Sequence, residues 1–435
     1  MRSNVKTANP LRTHEAAPAV QINAEQQLRR SLLSCLLWEK EFYEDGVSIA
    51  DRIAETAKYV PTEKLMAIAD EARNVHGLRH APLMLLLELV RRGGTGVSDA
   101  IANTIRRPDE MAELLSLYWR NRKGREKKIG KQLQRGLAKA FGKFSEYQLA
   151  KNDRPGDISI RDVMFLVHPK PKDAEQEALF KRIADKNMAT PDTWEVSLSG
   201  GADKKETFER LIKDGKLGYL ALLRNLRNMV EAGVDLALVK DAIVARKGAD
   251  LVFPFRYVAA ARAAPQLEPS IDQALVKAIE GSEPFVGKTA VLVDVSGSMD
   301  ANLSGKSDMT RLDAAAALAS MINGDLRVFS FSHEVVEVPP RRGMAGVDAV
   351  IKSQPHGGTY LGKAVGKLNG MGFDRIIVIT DEQSADVVPA PRAKHAYMLN
   401  VASYKNGVGY RNGWTHIDGF SEAVLRYIRA IENNQ

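Results

Sequence analysis

Cysteine is almost missing from this chain: Cys35 stands alone among 435 residues. No intramolecular disulfide can form, and nothing asks for an oxidising compartment, so a cytoplasmic location is the expectation. Cys35 falls among Leu32, Leu33, Leu36 and Leu37, the setting of a core thiol rather than a nucleophile. Long apolar runs are missing too. The longest candidate, Pro82–Val90, is interrupted by Glu88 and falls short of the roughly 18–20 residues of a membrane span. Met1–Gln21 is polar and lacks the apolar centre of a signal peptide. Strand-like alternation is nearly absent before residue 281. What is present is the balance of a globular protein, 44% hydrophobic and 27% charged, in a chain long enough for two or more domains.

From about Ala24 to Gly281 apolar residues recur at three and four, as in Leu28, Leu32, Leu36 and in Leu220, Leu223, Leu226, Val230. Pro61-Thr62-Glu63, Pro82 and Pro108-Asp109-Glu110 suit first helical turns, where proline loses no hydrogen bond and acids favour the dipole. Many short amphipathic helices without heptads predict stacked helix pairs, an α-solenoid. The texture then changes. Thr289-Ala-Val-Leu-Val293, Arg327-Val-Phe-Ser-Phe331 and Arg375-Ile-Ile-Val-Ile379 read as strands, and Val335–Val338 as an antiparallel edge strand. Helical stretches at 311–322, 361–368 and 421–431 separate and close them. The alternation predicts a mainly parallel sheet with helices on both faces. The expected organisation is an N-terminal arm (1–23), a helical domain (24–284) and an α/β Rossmann-like domain (285–435).

Ligands of such sheets bind at the carboxyl ends of strands. There stand Asp294-Val-Ser296-Gly-Ser298, then Thr359 behind Gly357-Gly358, then Asp381 after Val378-Ile379-Thr380. One carboxylate and two hydroxyls at alternate positions can converge from one loop, and all five groups are oxygen donors. That set suits Mg²⁺ first, with Mn²⁺ possible, and does not suit zinc. The pattern resembles the metal-ion-dependent adhesion site of von Willebrand factor A domains. In that family hydroxyls usually touch the metal, one or both aspartates act through water, and a position stays open for a partner's carboxylate. Glu382 departs from the glycine that many such domains carry there.

Enzyme signatures fail on inspection, and no catalytic role is expected. Gly287-Lys288-Thr289 precedes a strand instead of following one, and Arg92-Gly-Gly-Thr-Gly96 has no strand before it. His76 and His80 lack the intervening glutamate of a zinc helix. Ser296 and Ser298 have no nucleophile-elbow context, and a hydroxyl-rich single site matches metal-assisted phosphodiester cleavage poorly.

Net charge is +8, held unevenly. Residues 1–285 hold 46 basic against 39 acidic residues and 286–435 hold 16 against 15, while 101–150 alone hold 12 against 5. From Lys123 cations fall at every fourth residue: Lys123, Lys127, Lys131, Arg135, Lys139, Lys143, with Arg120 and Lys128 beside them. Ile129, Leu133, Leu137 and Phe141 repeat at the same spacing, offset by two, which on one helix sets a basic stripe opposite an apolar one. Like charges at i,i+4 repel, a cost that a bound polyanion reverses. A plain solvated face, an acidic protein or a membrane surface are the other readings. Gly124, Gly130, Gly136 and Gly142 would either break the helix or let another backbone approach. Tyr118, Trp119, Phe144 and Tyr147 flank the stripe, as core residues or stacking rings. No base-reading motif for duplex DNA occurs, which favours RNA or unpaired strands.

Several segments resemble the TROVE family, the Ro autoantigen proteins and their bacterial relatives: Lys143-Phe-Ser-Glu-Tyr-Gln-Leu-Ala-Lys151, Arg161-Asp-Val-Met-Phe-Leu-Val-His-Pro-Lys170, Thr193-Trp-Glu-Val-Ser-Leu-Ser199, Leu222-Leu-Arg-Asn-Leu-Arg-Asn-Met229 and Phe253-Pro-Phe-Arg-Tyr257. The resemblance implies a ring of HEAT-like helical repeats closed by the A-type domain. It implies binding of misfolded noncoding RNA 3′ ends and of small Y RNA-like molecules, and a 3′-to-5′ exoribonuclease tethered through RNA. Lys151 and His168 match positions of the family's RNA-contact region, with Lys170 and Lys172 beside them. Asn152 departs from the aromatic residue expected after Lys151. A docking scaffold governed by the metal site, without an RNA ligand, is the competing expectation.

Overall fold

The computed structural model describes residues 24–32, 46–120, 128–153, 158–249, 252, 255–303, 309–339, 341–402, 413–418 and 423–433. Two compact units emerge: Ala50–Leu217, and Gly218–Gln435 together with Met1–Ile49. Among the described residues no helix is long and apolar enough to cross a membrane.

The Ala50–Leu217 unit is helical. Five of its helices start where side chains satisfy the first free backbone N–H groups. Ser145 with Gln148 and Ser159 with Asp162 form reciprocal capping boxes on Glu146–Asn152 and Ile160–Val167. Asp173, Thr193 and Asp203 cap Ala174–Ala184, Trp194–Ser199 and Lys204–Lys213. Pro61 stands just outside Thr62–Asp70 and Pro108 just before Asp109–Arg120, as their sequence positions predict. Each helix packs mainly on helices near it in sequence. Val97–Thr104 meets Lys131–Phe141, which meets Ile160–Val167, which meets Ala174–Ala184. That stepwise stacking is the solenoid pattern.

The second unit carries a six-stranded sheet: β1 (Phe285–Asp294), β2 (Gly324–Phe331), β3 (Val335–Val338), β4 (Arg375–Thr380), β5 (His395–Asn400) and β6 (Thr415–Asp418). The order is β3-β2-β1-β4-β5-β6, parallel throughout except for the antiparallel edge strand β3. β1 and β4 are apolar on both faces because both are covered. Ala290 and Leu292 join Phe329, Phe331, Ile376, Val378 and Met398 in a core with the Leu361–Leu368 helix. Val291 and Val293 point the opposite way, and the alanine-rich Arg311–Ser320 helix packs on β1 and β4.

Helices turn to strands between Gly281 and Phe285. The helices Phe255–Ala263 and Glu268–Glu280 nevertheless pack on Arg311–Ser320 and Gly343–Ile351, inside the sheet's own unit. Arg262 fixes this contact, 3.0 Å from Asp348 and 3.5 Å from Asp313.

Candidate metal centre and basic surface

The strand order reverses direction between β1 and β4, and the crevice at such a switch point is where open α/β sheets bind ligands. Val293 pairs with Ile379, which sets Asp294 at the end of β1 beside Thr380 at the end of β4. Both oxygens of Asp294 are engaged: the Ser296 N–H donates to Oδ1 at 2.9 Å and the Thr380 hydroxyl to Oδ2 at 2.6 Å. The Ser296 and Ser298 hydroxyls lie 3.3 Å apart. The Gly297 N–H donates to the Gly357 carbonyl at 3.0 Å, tying the first loop to the second. The Ala385 N–H donates to the Thr359 carbonyl at 2.8 Å, tying the second to the third.

The glycines before Thr359 are required by a neighbour. A Cβ on Gly357 would lie 2.1 Å from the His333 ring, whose Nε2 accepts from the Gly358 N–H at 3.1 Å. Asp294 and Asp381 are fully buried, and Ser296 and Thr359 nearly so. Burial first, and the Asp381 carboxylate second, push Asp294 up to about 7. Two buried carboxylates with hydroxyls beside them form a donor set that a hard divalent ion fits. The Asp294, Ser296 and Ser298 groups come together directly, the Asp381 carboxylate acts on Asp294 electrostatically, and Thr359 joins them through its loop.

Sequence reasoning missed three features here. Thr380 supports Asp294. Glu382, where glycine was the comparison, sits at φ 60° and fully buried, with its carboxylate 3.2 Å from His416 on β6. Arg311 is 1% exposed, with its guanidinium 4.0 Å from the Asp381 carboxylate. The Asp-Glu pair after a strand hinted at the second; nothing local pointed to the third.

The basic stripe is not one continuous helix. Asp109–Arg120 ends at Arg120, and Lys131–Phe141 begins after Gly130, whose backbone is extended at φ −68°, ψ 148°. Lys123 and Lys127 lie outside the described residues. Arg120 and Lys128 are exposed on either side of the break. Lys131, Arg135 and Lys139 do share one helical face, exposed, opposite buried Leu133, Leu137 and Phe141. Gly136 allows the close approach anticipated for it: a Cβ there would meet Ile101 at 2.7 Å. Lys139 pairs with Asp99 at 2.6 Å, whereas Lys131 and Arg135 form no ion pair among the described residues.

Lys143 departs from the stripe altogether. It follows the helix end at Gly142, and its ammonium donates to the Ala102 carbonyl and, at 2.8 Å, to the Ile105 carbonyl. There it closes the end of Val97–Thr104, and burial pulls its pKa down. Lys151 lies exposed, 5.7 Å from the half-exposed Tyr147 ring. His168 ends Ile160–Val167 in the left-handed region at φ 49°, exposed, with Lys170 and Lys172 exposed after it. Phe144 is core, and Asn152 accepts from Arg107 at 3.0 Å. Phe165, which sequence reasoning passed over, is 47% exposed under Arg161 at 4.7 Å.

Comparison with known proteins agrees with this architecture. Residues 181–270 match the TROVE domain. The chain is 32% identical over 110 residues to Telomerase protein component 1 of Mus musculus and 34% over 115 residues to its Rattus norvegicus counterpart. Each match takes in 24% of this chain and 4% of the relative, so the likeness concerns a small part of those proteins. The crystal structure of the Deinococcus radiodurans Ro (RSR) protein superposes with a TM-score of 0.64 at 16% identity, covering 95% of this chain and 100% of that one. The fold of this chain, helical repeats followed by an α/β domain, is similar to that of the Deinococcus radiodurans Ro (RSR) protein.

Proposed function

We propose that this chain is a non-enzymatic RNA-binding protein that takes small structured RNAs of the Y RNA kind and the 3′ ends of misfolded noncoding RNAs. The exposed Lys131 and Arg135, one helical turn apart and without carboxylate partners among the described residues, carry the reading. Two like charges held side by side on a helix repel, and phosphates turn that repulsion into attraction. Tyr147 beside Lys151 and Phe165 beside Arg161 offer rings with adjacent cations, which suits unpaired bases. His168, Lys170 and Lys172 extend the same chemistry. In this reading the helical repeats close into a ring in the cytoplasm, and a 3′-to-5′ exoribonuclease is reached through the RNA.

Affinity measured against salt tests it, using structured RNAs with and without a single-stranded 3′ tail. Each phosphate contact adds a slope of about −0.7 to −0.9 in log K against log salt. A total slope of about −4 to −8 with preference for the tail is expected. Flat, weak binding overturns the reading.

The buried oxygen cluster favours a companion role. Asp294, Ser296, Ser298, Thr359 and Asp381 would hold Mg²⁺, or Mn²⁺ in its place. The ion supplies a Lewis-acid contact for a carboxylate of a protein partner. If RNA binding fails the salt test, metal-dependent docking becomes the main function.

A further inference from the structure

Arg311 bears two costs that a surface arginine does not. Its side chain is 1% exposed, and taking a cation out of water is unfavourable unless an anion meets it. It is also the first residue of the Arg311–Ser320 helix, where the aligned peptide dipoles favour negative charge. Thr310 and Asp313 already cap that helix reciprocally, and the Arg311 N–H donates to the Ala301 carbonyl at 3.0 Å, so the helix start needs nothing from the guanidinium. Among the described residues a carboxylate near the guanidinium is that of Asp381, fully buried and 4.0 Å away. Asp381 Oδ1 also accepts from the Gln383 N–H at 3.3 Å, while Asp294 has Thr380 and the Ser296 N–H, and Glu382 has His416.

We infer that Arg311 is the resident counter-charge of Asp381, a fixed cation that holds the two-carboxylate site together without an ion and limits how tightly the site takes one. The inference rests on the metal-binding reading above. With Asp294 and Asp381 ionised, Arg311 leaves the cluster one negative charge instead of two. A divalent ion entering it is held less strongly, and the loaded cluster keeps a net positive charge. That surplus suits a monoanionic oxygen ligand such as a carboxylate at the open position.

The test is calorimetric titration of the full chain with Mg²⁺ and with Mn²⁺ at pH 8, beside thermal unfolding in EDTA. Arg311→Met should bind Mg²⁺ about tenfold tighter or more, since a like charge has left the ion's surroundings. In EDTA it should melt below the wild type and recover with Mg²⁺. Arg311→Lys, which keeps the charge, should hold wild-type affinity within about threefold. A folded Arg311→Met that binds Mg²⁺ no more tightly than wild type overturns the inference and leaves the metal reading standing. If neither protein binds an ion, both fall. Should Arg311→Met fail to fold, the double variant Arg311→Met with Asp381→Asn decides. Removing both charges should restore folding in EDTA, and a double variant that also fails to fold overturns the proposal.

Discussion

The loops that close β1 and β4 and the outer face of the Lys131–Phe141 helix hold charge in opposite ways. In the loops Asp294, Asp381 and Glu382 are buried and each has a named group beside it: Thr380 and Ser296 for Asp294, Arg311 for Asp381, His416 for Glu382. On the helix, Lys131 and Arg135 stand in water. Burial demands compensation at fixed distances, so the loop site is specified by the fold around it. Exposure demands none, so the helix face is free to take its counter-charges from a ligand. Lys143 shows that one sequence pattern can also place a cation against the backbone. It continues the four-residue spacing of the exposed cations, yet its ammonium closes the end of a helix among backbone carbonyls.

Variants can break this contrast in order of expected effect. Reversing Lys131 and Arg135 together to glutamate should lower RNA affinity about a hundredfold at physiological salt and make the salt slope shallower by about two. Mg²⁺ binding, read by calorimetry, should not change. Gly357→Val should do the converse. Its side chain collides with the His333 ring, costing about 1–3 kcal/mol in denaturant unfolding and abolishing the Mg²⁺ heat, with RNA affinity retained.

Lys143→Met is expected to cost about 1–2 kcal/mol of stability by leaving two carbonyls without a donor, while the RNA salt slope stays put. A shallower slope instead would return Lys143 to the RNA face. The smallest effect concerns His356. Burial lowers its pKa, but the Ile351 carbonyl and the Asp300 carboxylate outweigh that and leave it raised. A raised histidine stabilises the fold below its unfolded pKa and loses that contribution as pH rises through the folded value. Unfolding midpoints should therefore drop slightly from pH 6 to pH 8, and His356→Gln should flatten that drop.

The loops after β1 and β4 were legible because each follows a short β-branched strand, and a buried parallel strand announces itself by an unbroken apolar run. Val335–Val338 was legible as a short valine-rich run, and the 361–368 helix by the helical spacing of Leu361, Ala364, Val365 and Leu368. Arg311 was not. Its meaning depends on a helix start packing against a loop 70 positions on, and in sequence it is one more arginine at a helix N-terminus. The basic stretch misled through periodicity. Spacing of four continues across Gly130 in the sequence, but the extended backbone at Gly130 interrupts the helix that the spacing assumed. His168 had a usable signal in Pro169, since the residue before proline avoids the right-handed helical region and so marks a helix end. Composition likewise placed the change of texture at 281–285. The compact units divide elsewhere because Arg262 and its neighbours pack onto sheet-covering helices, which no local pattern records.

The pairing of β1 with β4 also sets a schedule. Thr380 is 86 positions downstream of the carboxylate it supports. On a ribosome moving at about 5–20 residues per second, Asp294 waits several seconds before that hydroxyl exists. On the proposed metal-binding reading, an ion would have nothing to grip in a half-made chain and would not seed the sheet. It would recognise only the finished one, so its stabilisation should appear in the rate of unfolding and leave the rate of folding nearly untouched.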